Sequence, residues 1–102
     1  MALLAERSGD SLSLSGSLTS ADVEQHWPIP AAWLGSQTLN LNLERLQQVD
    51  SAGLAWLIEL ESAQRQQQGT MQWLHCPERL IQLMTLYDLD VSAGQLAVRH
   101  QN

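Results

Sequence analysis

Two stretches of the chain alternate leucine with small polar residues, and each predicts a strand with one buried and one polar face. Leu12, Leu14 and Leu18 are separated by serines and a glycine over 11–18, and Leu39, Leu41 and Leu43 alternate with Asn40 and Asn42 over 38–43. Ahead of the first, Leu3, Leu4 and Ala5 suit a short strand and Ser8-Gly9-Asp10 a tight turn, so the chain opens on an antiparallel hairpin. Thr19-Ser20-Ala21-Asp22 then offers a hydroxyl followed by an acid, the chemistry of a helix start. This helix is read over 20–34, interrupted at Pro28 and Pro30 and ended before Gly35.

The second half is mostly helical. From Gly53 a run of good helix formers extends about four turns and stops at Gly69, read as the residue just past the helix end. Leu54, Leu57, Ile58 and Glu61 share one stripe of it, and Trp56, Leu60 and Ala63 share another, so its first turns are apolar on more than one side. Residues 70–75 read as a strand with Met71, Trp73 and His75 on one face. Pro77 takes the first position of a last helix carrying Leu80, Ile81, Leu83, Met84 and Tyr87, which Asp88-Leu89-Asp90 closes. Leu96, Ala97 and Val98 suffice for a short edge strand.

A helix between two strands implies a right-handed crossover and parallel neighbours, while the opening hairpin is antiparallel. The expected fold is therefore α/β, a mixed sheet of four to five strands with helices on one face, forming one domain over 1–102.

Composition narrows the partners. All five basic residues are arginine, and eleven acids bring the formal net charge to −6, a balance that repels nucleic-acid backbones and anionic lipid surfaces. One cysteine, Cys76, excludes an internal disulfide and fits a reducing compartment. No apolar run approaches the roughly 20 residues that a bilayer span requires, and the N-terminus does not read as a secretion signal. A cytoplasmic protein with protein partners is the expectation.

Enzymatic constellations are sparse. There is no glycine-rich phosphate loop, and His26, His75 and His100 fall on different elements. No cofactor or metal is implied, and His75 beside Cys76 has no charge partner in sequence. The stretch Val49-Asp50-Ser51-Ala52-Gly53-Leu54 stands apart, because it joins a strand to an apolar helix. Asp50 or Ser51 as its helix cap is worth about 1 kcal/mol, with Gly53 allowing a tight strand-to-helix turn. The same geometry places the Ser51 hydroxyl near unpaired backbone N–H groups, where a phosphate would be held.

Asp50-Ser51-Ala52-Gly53-Leu54 between a strand and an apolar helix, preceded by a hairpin and a short helix, resembles the STAS domain of anti-sigma factor antagonists and sulfate-transporter tails. In the antagonists the motif is Asp-Ser-Ser/Thr-Gly-Leu, and the serine matching Ser51 is phosphorylated by a partner kinase; Ala52 departs from the second hydroxyl. A closer resemblance is to the stand-alone MlaB-type STAS subunit of the bacterial ABC system that moves phospholipids to maintain outer-membrane lipid asymmetry. It rests on Gly9-Asp10-Ser11-Leu12-Ser13-Leu14-Ser15-Gly16, on 49–60, and on Leu83-Met84-Thr85-Leu86-Tyr87-Asp88-Leu89. That family commonly carries Asp-Thr-Gly-Gly-Leu, so Ser51 replaces threonine and Ala52 replaces glycine.

The resemblance implies a non-enzymatic subunit, peripheral at the inner membrane, that binds the transporter's ATPase and supports its assembly and activity. Ser51, Ala52 and Gly53 then lie in the contact and Asp50 fixes the loop. Trp56 and Leu60 are nominated for the contact on physical grounds, from the surplus apolar surface of their helix, with packing against a neighbouring helix as the alternative. Trp33 is read as core, and Trp27 is left open between core and contact. Spare apolar surface also allows a homodimer when the partner is absent. The rival reading is an anti-sigma factor antagonist set by phosphorylation of Ser51. A small enzyme using Asp50 or His75 lacks a nucleophile, base and orienter set.

Overall fold

The computed structural model describes residues 2–91 and 94–98, which form the order β1 (Leu4–Ser8), β2 (Ser11–Leu18), α1 (Ser20–Gln25), β3 (Thr38–Val49), α2 (Ser51–Gln66), β4 (Thr70–Leu74), α3 (Glu78–Leu86), β5 (Leu89–Asp90) and β6 (Ala97–Val98). A single 3-10 turn, Ala31–Trp33, lies between α1 and β3. The first four strands make one sheet in the order β1-β2-β3-β4, with β1 antiparallel to β2 and the other pairs parallel. The expected mixed sheet is present.

The leucine alternation sets which face is covered. Leu12, Leu14, Leu39, Leu41, Leu43, Met71 and Trp73 are buried under the helices. The residues between them, Ser13, Ser15, Asn40, Asn42 and Gln72, are half-buried on the other face. Strand β3 runs well past the six residues whose alternation is regular. Ser13 pairs with Asn42 but Ser15 with Arg45, and Gly16 pairs with Leu46 but Ser17 with Gln48, so β3 carries one extra residue at each of two bulges. Each extra residue resets the pleat, which is why the buried positions step from Leu43 to Leu46 and Val49 instead of every second residue.

Helix α2 is the centre of the helical layer. One side lies on the sheet and another is covered by α1 and the 3-10 turn, so both of its apolar stripes are used. At its C-terminus the left-handed residue is Gln68 (φ 65°), not Gly69. Gly69 is needed for space, since a Cβ there would sit 2.3 Å from the carbonyl oxygen of Gly35. Gln64, buried, ties this end down: its Nε2 donates to the carbonyls of Gln37 (2.7 Å) and Thr70 (3.3 Å), and its Oε1 accepts from the N–H of Gly35 (3.0 Å).

Three further expectations change. The 20–34 helix is only α1 and the separate 3-10 turn, because Pro28 and Pro30 lack the N–H groups a continuous helix needs. His75 does not continue β4, which ends at Leu74; its φ of 57° turns the chain, and it is exposed. The C-terminal strand is not an edge of the main sheet. Asp88 (φ 58°) reverses the chain after α3, and Leu89–Asp90 pairs antiparallel with Ala97–Val98 as a separate ladder. The free edge of β4 is met by Gly94, whose carbonyl accepts from the N–H of Trp73 at 2.7 Å.

Candidate functional site

Asp50 is the N-cap of α2, and its carboxylate also reaches the start of α1. Its extended backbone (φ −119°) ends β3, and its Oδ1 accepts from the N–H of Gly53 at 2.9 Å, satisfying a donor of the first turn of α2. Its Oδ2 accepts from the N–H of Ser20 at 3.2 Å, at the start of α1. One carboxylate thus holds both helix N-termini at the exit of the sheet. Asp22 reinforces α1 in the same way, reaching back so that one oxygen accepts from the N–H (3.0 Å) and hydroxyl (2.9 Å) of Thr19 and the hydroxyl of Ser17 (2.9 Å). These bonds, the Thr19 N–H first among them, hold its pKa below the ordinary carboxylate value against the opposing effect of burial.

Ser51 is the first residue of α2 and is exposed. Its Oγ accepts from the Tyr87 hydroxyl at 3.3 Å, so the end of α3 reaches the start of α2. Ala52 beside it is half-buried. Gly53 is buried and faces inward. A Cβ there would lie 2.1 Å from the carbonyl oxygen of Leu18 and 3.0 Å from the Val49 side chain, so this glycine lets the first turn of α2 rest on the backbone of β2. Its contact is with its own chain, which corrects its placement in a partner surface.

The two larger nominees are corrected likewise. Trp56 is 2% exposed and Leu60 0%, and both belong to the core. The Trp56 ring meets Trp33 edge to face at a centroid distance of 6.0 Å, and its Nε1 donates to the His26 carbonyl at 3.2 Å. The surplus apolar stripe of α2 is therefore consumed by the segment that the prolines fold over it. Trp33 is half-buried against this cluster, whereas Trp27 is exposed.

Sequence reasoning missed Tyr87. Its position at i+3 and i+4 from Met84 and Leu83 assigned it to the buried stripe of α3. The helix ends one residue earlier, at Leu86, so the side chain projects beyond the core toward Ser51. Elsewhere the reactive groups are quiet. Burial pushes the Cys76 thiol up to about 11, which keeps it protonated at neutral pH. Glu61, buried, accepts from the Trp73 indole at 2.6 Å and pairs with Arg65 at 3.1 Å. Among the described residues no three His, Cys, Asp or Glu side chains converge to hold a metal, and His100 lies outside them.

Residues 1–98 match the family model described as "Mlab, STAS domain". The chain belongs to the MlaB-type STAS family. A search of curated proteins returns no match. The mixed four-stranded sheet with its helical layer is the STAS architecture, and the Asp50-Ser51 turn occupies the strand-to-helix junction of this STAS domain. Among its described residues no helix is long and apolar enough to cross a membrane.

Proposed function

We propose that this STAS domain is a non-enzymatic subunit that binds the ATPase of a phospholipid-transport ABC complex at the cytoplasmic side of the inner membrane and supports the complex's assembly and activity. The observation that carries the reading is the exposed Ser51 hydroxyl on the first turn of α2, set between a half-buried Asp50 whose carboxylate accepts from two backbone N–H groups and a buried Gly53 packed on β2. Membership of the MlaB-type family supports the choice of partner.

Exposure of Ser51 directly after Asp50 also favours a second reading, an anti-sigma factor antagonist switched by phosphorylation at that hydroxyl. Co-purification with tagged wild-type protein, followed by mass spectrometry, separates the two. Recovery of an ABC ATPase with unmodified Ser51 supports the transporter subunit; recovery of a serine kinase with phosphate on Ser51 replaces it with the antagonist. Ser51→Asp sharpens the test, because an acid at the first helical position is favoured by the helix dipole by roughly 0.3–1 kcal/mol and leaves folding intact. Loss of ATPase binding in that variant is then the loss of a close-fitting contact.

A further inference from the structure

We propose that the free edge of β1 is complementary to β1 of a second copy of this chain, and that the charge of Glu6 guards that edge and holds the domain as a monomer. β1 is the last strand on its side of the sheet, with no described strand beyond it. The tight turn at Gly9-Asp10 makes Ser8 and Ser11 a hydrogen-bonded pair. Alternation along the register Ser8↔Ser11, Glu6↔Ser13 and Leu4↔Ser15 then directs the backbone groups of Ser8, Glu6 and Leu4 to β2. The N–H and C=O groups of Ala5 and Arg7 therefore point outward, and among the described residues nothing bonds to them. One step further along the edge, the Leu3 N–H is already drawn to the Asp22 carboxylate.

Symmetry fixes how a second copy fits this edge. Two identical antiparallel strands in one continuous sheet are related by a two-fold axis normal to it, so a residue and its symmetry copy share a face and the strands cross at a residue. Ala5 and Arg7 of one chain can exchange bonds with Arg7 and Ala5 of the other only when Glu6 lies opposite Glu6. Sliding toward Leu3 calls on the N–H that Asp22 holds, and sliding the other way sets Arg7 against Arg7. In the favoured register Leu4, 66% exposed, also gains cover opposite Ser8 of the second copy. The central Glu6 pair is of the non-hydrogen-bonded kind, whose side chains approach most closely, and like charges there destabilise the sheet. Glu6 is exposed and forms no ion pair among the described residues, so nothing in its own chain neutralises it. The edge thus matches itself in backbone bonding and is opposed to itself at one side chain.

The test is sedimentation equilibrium on the whole chain and on its Glu6→Gln and Glu6→Lys variants, with circular dichroism confirming the fold. Glu6 is exposed, so both substitutions leave the core untouched. Glu6→Gln should dimerise about fivefold more tightly than wild type, because the amide removes the repulsion. Glu6→Lys alone should stay as monomeric as wild type, since one like-charged pair replaces another, even though its net charge is less negative. An equimolar mixture of Glu6→Lys with wild type should associate, because lysine then faces glutamate. In the Glu6→Gln dimer, the Ala5 and Arg7 amides should gain protection in residue-resolved hydrogen exchange. The proposal is overturned if Glu6→Gln associates no more than wild type, or if Glu6→Lys alone associates as readily as Glu6→Gln. A dimer that leaves the Ala5 and Arg7 amides unprotected overturns it equally.

Discussion

Gly53 decides more at this junction than its neighbours do. Alanine normally stabilises a helix interior by roughly 1 kcal/mol over glycine. Here the added methyl would meet the Leu18 carbonyl oxygen at 2.1 Å, a backbone atom inside the sheet that cannot step aside. The clash outweighs propensity, and Gly53→Ala should lose about 2 kcal/mol or more, read as a lower urea midpoint with an unchanged slope. The sequence identified this glycine as special but for a different reason, the tightness of a turn. Which backbone lies across from a small residue is a long-range fact that local spacing does not carry. Trp56 illustrates the same limit, since a surplus apolar stripe looks identical in sequence whether a partner or the chain's own 3-10 turn covers it.

At the scale of elements, the two short helix starts are held by carboxylates whose charge matters. Asp22 has a folded pKa depressed below its unfolded value of about 3.9. Its ionised form favours the folded state, so its contribution is complete above about pH 4 and is lost as pH falls through the depressed folded value. Asp22→Asn, which cannot titrate, should show a shallower decline of unfolding free energy with acid than wild type, measured by urea titrations at stepped pH. Elements with regular periods were the legible ones: the strands over 11–18 and 38–43, and the helices beginning near 51 and 78. The remainder of β3 was hidden because two bulges break the alternation that identifies a strand. The reach of Tyr87 was hidden because a one-residue change in where a helix stops converts a core position into a projecting one.

For the whole molecule, acidity and layering combine. Helices cover one face of the sheet and leave the serine- and asparagine-bearing face uncovered by helix, and among the described residues the large exposed apolar side chains are Leu4, Trp27, Ile81, Leu86 and Tyr87. With a net charge of −6, encounter with any partner that presents a basic face should be electrostatically steered. Raising ionic strength from about 0.05 M to about 0.5 M should slow association several-fold while changing dissociation little, as stopped-flow mixing would resolve. The suppressed thiol of Cys76 has a practical meaning as well. Half-buried and with its thiol pKa raised by burial, it should react more slowly with maleimides and iodoacetamide than an exposed cysteine would. A Ser51→Cys variant should therefore be alkylated first at the exposed start of α2 without removal of the native cysteine, and a partner docked there should slow that alkylation.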